Sequence, residues 1–375
     1  MSQERLYIYH TFISHGDKNL GMFHHLDEMI NQLDYIEEMG FNAIMTNPLF
    51  PSKSSHGYDS LTFWGIDSKI GGMEAFTRLL RELEKRNMKL IFDITLAHTG
   101  DQHEWFKAFL RGENDFYILK DHISDDISSD MHPTCHHWFA PKNKYILSAF
   151  GDLPSLNVES QGYRHELKYF FKFWLGMSDC IGIRCDAILH SRVTAKNHDP
   201  IPFIKFVKGL IDEVNPNAIV IAEVWTNSNM TNEPLIYADI LGSAFDFTSC
   251  FGIMLQALDG KRAEDIKLEP HHYQHNMTTM LCNHDTSRIL SMLNGDKNKV
   301  KEAIKALIQN TNGNISIYYG TENNLEGHVI NGYDLPVRQN YDVFDMANVI
   351  KDKNSLFYYI KDLIAEDKEK RKHNK

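Results

Sequence analysis

The sequence predicts an α/β fold, a closed (β/α)8 TIM barrel with a short insertion domain after its third strand. Three observations carry that prediction. Short apolar runs alternate with longer helical patterns along all 375 residues. The runs number eight, the count for a closed parallel barrel. No Gly-rich phosphate turn follows the first run, which argues against a doubly wound open sheet.

In chain order the expected strands are Leu6–Tyr9, Ala43–Met45, Leu90–Ile94, Gly182–Asp186, Ala218–Glu223, Ala244–Phe247, Met280–Cys282 and Ile315–Tyr319. Helical patterns fall between them at Leu26–Met39, Glu74–Arg86, Arg164–Leu175, Phe203–Val214 and Lys297–Gln309. In the first of these, Leu26, Met29, Ile30, Leu33 and Ile36 share a face and Gly40 supplies the stop. Residues 1–98 then make the first part of the barrel and 161–375 the remainder. The interval 99–160 breaks the alternation and reads as the insertion, rich in His, Asp, Ser and Pro. A long insertion on a barrel commonly serves as a lid or binding loop. Its histidines His122, His132, His136 and His137 match no standard metal-ligand spacing and read as a polar loop surface.

Composition bounds the function. A formal net charge of -11 disfavours nucleic-acid binding, which needs a positive patch. Five cysteines, scattered and without a CxxC pair, suit reduced thiols in a cytoplasmic protein. The N-terminus "MSQERLYIYHTF" carries charges where a signal peptide is apolar, and no run has the length of a membrane span. The basic end, Glu366 to Lys375, reads as a solvated, frayed terminus.

In a barrel the C-terminal strand ends face one mouth, where active sites sit. The third strand ends in Asp93 and runs on to His98; the fourth ends in Arg184 and Asp186, on one face. The fifth ends in Glu223, and the seventh leads into Asn283, His284 and Asp285. A single carboxylate at a strand end is commonly a cap or an ion pair, and Arg184 with Asp186 alone fits a structural salt bridge equally well. Three or more carboxylates are harder to explain as structure, since crowded like charges raise one another's pKa. Glycoside hydrolysis needs such a group: one carboxylate as nucleophile, one carboxylic acid for the leaving oxygen.

"HGYD" (His56–Asp59), "DITLAH", "GIRCDAILH", "AEVW" and "NHD" stand in an order and spacing that resembles the alpha-amylase family of glycoside hydrolases, family 13. Five such segments in order are specific where any one is weak. The resemblance implies Asp186 as nucleophile forming a covalent glycosyl-enzyme, Glu223 as general acid and then base, and Asp285 as stabiliser of the oxocarbenium-like transition state. It also implies that Arg184 orients Asp186, that His98 and His284 hydrogen-bond the sugar, and that Tyr58 stacks on it. Asp59 and Arg338 resemble the pair by which some members clamp a terminal glucose; the plain alternative for Arg338 is a surface arginine in a mobile loop.

The sequence also departs from the family pattern. Ala97 replaces an asparagine that ligates calcium in calcium-dependent members, and "GDKNLG" has Leu20, followed by Met22, where oxygen ligands are expected. Hard cations want six or more oxygens, so no metal or other cofactor is expected. Leu189 stands in place of a substrate-contacting lysine, and "LPSLN" (Leu153–Asn157) fits no specificity subgroup. The family's C-terminal β-sandwich is expected to be absent. The reading is a retaining alpha-glycoside hydrolase whose partner is an oligosaccharide or alpha-glucan substrate, with no nucleic acid and no membrane. The alternatives are a transglycosylase of the same family and a non-catalytic carbohydrate-binding or partner protein of the same fold.

Overall fold

The computed structural model describes residues 4–120, 136–140, 144–150, 153–225, 233–269 and 275–373, with the side chains of 136–140, 144, 149 and 150 outside that description. Twelve strands are formed among them: β1 Tyr7–His10, β2 Ala43–Thr46, β3 Lys89–Ile94, β4 Leu119–Lys120, β5 His136–Ala140, β6 Lys144–Phe150, β7 Leu153–Pro154, β8 Ile181–Cys185, β9 Val220–Ala222, β10 Ala244–Phe245, β11 Met277–Met280 and β12 Asn314–Tyr318. Eight of them close into a barrel in the order β1-β12-β11-β10-β9-β8-β3-β2. The pairings are parallel, with Tyr7 opposite Ile315, Ile8 opposite Ala43, Arg184 opposite Ile221 and Thr279 opposite Ile315. All eight expected strands are present, with edges moved by at most three residues.

The largest shift is at β11, which starts at Met277 although the expected run began at Met280. Its central residues are Thr278 and Thr279, both fully buried. Hydroxyl-bearing β-branched side chains fit a strand well but hide it from a search for apolar runs. The expected helix Leu26–Met39 is two helices, Leu26–Asn31 and Leu33–Glu38. The Gln32 N–H bonds back to Met29 O at 3.0 Å, a three-residue closure that tightens the chain and breaks the α-helical ladder. The C-terminal segment is no frayed tail, since a helix runs from Leu356 to His373. Asp367 explains it: buried, it accepts from Arg5 at 2.8 Å, Tyr7 at 2.6 Å and Arg371 at 2.8 Å.

The interval after β3 carries more order than the sequence suggested. It has a helix at Glu104–Leu110 and an antiparallel sheet of β4, β6 and β5, with β7 paired to β6. His122 and His132 lie outside the described residues, as do the side chains of His136 and His137.

The chain divides into two compact units, Met1–Thr46 with Thr77–Leu90 and Phe245–Lys375, and Asn47–Phe76 with Ile91–Ala244. The second is built round an aromatic cluster. Phe50 meets Phe63 at 5.2 Å and Trp174 at 5.5 Å, and the Trp174 indole N–H donates to Phe63 O at 3.0 Å. That bond satisfies the one polar atom of the ring while its area is buried. In the first unit Glu322 is fully buried and accepts from Tyr9 at 2.5 Å and Tyr35 at 3.0 Å, and burial raises its pKa. Among the described residues no helix is long and apolar enough to cross a membrane.

Candidate active site

The second unit gathers four of the expected residues, Tyr58, Asp93, Asp186 and Glu223, around the guanidinium of Arg184. β8 ends at Cys185, so Arg184 is its last but one residue and Asp186 follows immediately. Arg184 Nη1 donates to Asp186 Oδ1 at 2.8 Å and to Tyr58 OH at 3.3 Å, and it also bonds Asp93 Oδ2. Its Nη2 lies 2.6 Å from Glu223 Oε1. Burial works to lower the Arg184 pKa, but the charges of Asp93, Glu223 and Asp186 outweigh it and raise it. A charge held among three carboxylates is an arrangement that breaks badly if one member is removed.

Asp93 sits at the end of β3 and is 1 % exposed, so burial raises its pKa well above the carboxylate range, with Arg184 opposing. Tyr58 OH donates to the same Asp93 oxygen at 2.8 Å, which turns the tyrosine ring in place beside His56. His98 Nε2 stands 3.9 Å from Asp186 Oδ2. Burial lowers the His98 pKa to about 4, while a bond to the Tyr58 main chain and the charge of Asp59 act the other way. The imidazole is therefore neutral at pH 7 and offers one donor and one acceptor.

The backbone just past Asp186 adds a contact. Ala187 has φ 41°, a left-handed conformation unusual for a residue with a Cβ. Its N–H donates to Glu223 Oε2 at 2.8 Å, so both oxygens of Glu223 are held, one by Arg184 and one by main chain. Asp59 is bound locally: Ser54 N lies 3.1 Å and 3.2 Å from its two oxygens, and Ser54 Oγ donates at 2.5 Å. Gly100 explains how that segment lies so close, because a Cβ there would come within 2.6 Å of Asp59 O. "LPSLN" packs on the exit from β3, with Thr99 N bonded to Pro154 O at 3.1 Å and Leu156 N to Ala97 O at 2.9 Å.

The first unit carries the rest. His284 is 1 % exposed, and its Nε2 lies 3.1 Å from Asp285 Oδ2. Arg338 Nη2 contacts Asp285 Oδ1 at 2.8 Å and Asp334 Oδ2 at 2.6 Å, and Arg338 Nε donates to His284 O at 3.0 Å. Arg338 is thus a buried, paired residue and not a plain surface arginine; it is 6 % exposed. Its loop is pinned by Arg288, whose guanidinium donates to Tyr319 O at 2.7 Å and Val337 O at 2.9 Å. Three participants escaped the sequence reading: Asp334, Ala187 and His10, whose Nε2 is 3.2 Å from His284 Nδ1. His10 had a findable signal, a polar residue closing the first strand, the same feature that marked Asp93 and Glu223.

Where the family resemblance implies calcium ligands, Ala97, Leu20 and Met22 offer no side-chain oxygen. Ala97 offers a buried methyl, Leu20 and Met22 turn inward, and Asp17 Oδ1 accepts from Asn19 N at 2.9 Å. Among the described residues no group of three or more His, Cys, Asp or Glu stands together to hold an ion.

Residues 12–334 match a family model described as the alpha amylase catalytic domain. Alpha-amylase 3 of Dictyoglomus thermophilum is 28 % identical over 85 % of this chain and 64 % of its own length. A 4-alpha-glucanotransferase of Thermotoga maritima is 25 % identical over 79 % of this chain and 67 % of its own length. The crystal structure of an alpha-amylase from H. orenii superposes with a TM-score of 0.82, at 24 % identity, covering 98 % of this chain and 82 % of that one. The chain therefore spans about two thirds of the length of these curated relatives.

Proposed function

The chain belongs to the alpha-amylase family, and on that premise we propose that it is a retaining alpha-glycoside hydrolase acting on maltooligosaccharides or related alpha-glucans. The observation that carries the reading is the shared guanidinium: Arg184 contacts Asp186 at 2.8 Å and Glu223 at 2.6 Å. One cation gripping two carboxyl groups keeps them near each other, as a retaining displacement requires.

In the proposed reaction Asp186 attacks the anomeric carbon as the glycosidic bond breaks, and Glu223 gives its proton to the departing oxygen. The second step reverses the roles. Water adds to the anomeric carbon, its proton passes to Glu223, and the Asp186 ester bond breaks to restore the carboxylate. Arg184 keeps positive charge against Asp186 throughout, and the Ala187 N–H fixes the direction of Glu223. Asp285, directed by Arg338 and His284, is assigned to the sugar hydroxyls, where its charge stabilises the oxocarbenium-like state. This assignment rests on the likeness of the "NHD" segment to the family, within the matched residues 12–334. Tyr58 and His98 are assigned to the sugar that is cleaved.

A transglycosylase is the second reading, favoured by the likeness to a 4-alpha-glucanotransferase. It uses the same covalent intermediate and differs only in whether a sugar hydroxyl or water accepts the glycosyl group. The cysteines described, Cys180, Cys185, Cys250 and Cys282, are unbonded, which supports a cytoplasmic setting. The test is product analysis on maltotriose, starch, isomaltose, sucrose and trehalose. Release of reducing sugar from maltotriose is expected; products longer than the substrate would favour transfer, and no turnover of any of the five would refute both readings.

A further inference from the structure

His10 closes β1, is 2 % exposed, and stands edge-on to His284 with ring centroids 5.2 Å apart. Its Nε2 is 3.2 Å from His284 Nδ1, while the other nitrogen of His284 faces Asp285 Oδ2 at 3.1 Å. These distances favour one placement of the protons. A ring nitrogen that close to a carboxylate oxygen must carry its hydrogen, because two lone pairs would repel. His284 is then protonated at Nε2, and in the neutral ring Nδ1 is a bare acceptor. The hydrogen between the rings must come from His10. The alternative, a His284 imidazolium donating to His10, buries an added cation where Arg338 at 2.8 Å already answers the charge of Asp285.

We propose that His10 is a positioning residue for the glycosidic reaction: its Nε2–H holds His284 in the Nε2–H tautomer that is aimed at Asp285. The inference deepens the reading given above and rests on it. Asp285 is then oriented by two donors, Arg338 on Oδ1 and His284 on Oδ2, and His10 acts through the second. Tyr318 supports the ring of His10 at a centroid distance of 5.2 Å, so that its edge stays turned to His284. Without a donor at position 10, His284 is free to exchange tautomers and to present a lone pair to Asp285.

The experiment compares the full chain with its His10→Phe and His10→Gln variants, labelled with 15N-histidine, with His284 assigned from a His284→Gln control. Two-bond proton–nitrogen correlation is expected to report the Nε2–H tautomer of His284 in the parent and in His10→Gln, which keeps a donor. In His10→Phe the Nδ1–H form should appear. On maltotriose, His10→Phe should lose ~10- to 100-fold in kcat with KM little changed, the order that loss of the hydrogen-bond partner costs a metal-bound histidine, and His10→Gln should recover most of it. A parent spectrum with His284 as Nδ1–H or as imidazolium overturns the proposal, even if neither variant folds. So does a folded His10→Phe whose tautomer and kcat match the parent. An inactive parent that still shows the His10-dependent tautomer would refute the glycosidase reading and leave the positioning contact standing.

Discussion

The backbone N–H of Ala187 donates to Glu223 Oε2 at 2.8 Å, and Ala187 takes φ 41° to do so. The residue after the assigned nucleophile thus holds the assigned acid. A left-handed alanine costs about 1–2 kcal/mol, so the surroundings must over-determine it, as is common at functional sites. Ala187→Gly should keep kcat and shift stability by no more than about 1 kcal/mol, because glycine adopts this φ without strain. Ala187→Val should lose activity, since a β-branched residue resists the conformation and would swing the N–H away from Glu223. Thermal melts and maltotriose kinetics on the two variants check this; a fully active Val variant sinks it.

Asp186→Asn should lower kcat by several orders of magnitude while substrate still binds, because an amide cannot form the ester intermediate. Glu223→Gln should act similarly, with partial recovery of the first step on substrates bearing good leaving groups. Calorimetric binding beside steady-state rates separates the two effects. A tenth of parent activity in Asp186→Asn would mean that the nucleophile is another residue.

How much of this was legible in the sequence depended on what each residue does. The barrel strands were readable because buried parallel strands are short apolar runs, and β11 slipped only because Thr278 and Thr279 supply its core with hydroxyls. Arg184, Asp186 and Glu223 were readable as charges closing such runs. Ala187 was not, since what it contributes is main-chain geometry that no side chain announces. Asp334 was hidden in a loop whose shape is set by Arg288, and only the fold brings it 2.6 Å from Arg338. The helix at the C-terminus was hidden for the opposite reason: its charges look solvated until Arg5, from the other end of the chain, meets Asp367.

His103 sets a pH dependence of stability. Its Nδ1 accepts from Trp105 N at 3.1 Å at the start of the Glu104–Leu110 helix, and burial lowers its pKa to about 3. The unfolded chain binds a proton near pH 6.5 that the native state refuses. The stability gained from a neutral His103 is therefore complete above that pH and is lost progressively as pH falls toward 3. By pH 5 the loss should reach about 2 kcal/mol. His103→Asn keeps a helix-capping acceptor without a titrating ring, so its melting temperature should fall less between pH 7 and 5. Parallel pH profiles of the two proteins would contradict this account.

Dialysis against EDTA should change neither activity nor melting temperature appreciably, given the methyl of Ala97 and the inward side chains of Leu20 and Met22. Calcium-restored losses in either quantity would show that other oxygens make up a site.

Where along a glucan the protein cuts is expected to depend on Arg338. Its Nη2 is divided between Asp285 at 2.8 Å and Asp334 at 2.6 Å, and its loop is fastened through Val337 to Arg288. A buried cation in that position is available to orient Asp285, and the resemblance to the family implies a second role, clamping a terminal sugar together with Asp59. Both predict that Arg338→Ala costs roughly 2–4 kcal/mol in kcat/KM on maltotriose, since a desolvated charged contact is broken. Asp334→Asn separates the arginine from its second partner while leaving Asp285 paired, and should change kcat by no more than a few-fold if orientation of Asp285 is what matters. The clamp adds a further expectation. Asp59 is held by Ser54 in the free protein, so a terminal glucose would have to compete with that hydroxyl. Asp59→Ala should then weaken maltotriose cleavage and spare longer chains. Starch digests sampled early should yield short products from chain ends. A spread of long internal fragments would remove the clamp and leave orientation of Asp285 as the role of Arg338; unchanged maltotriose kinetics in Arg338→Ala would remove both.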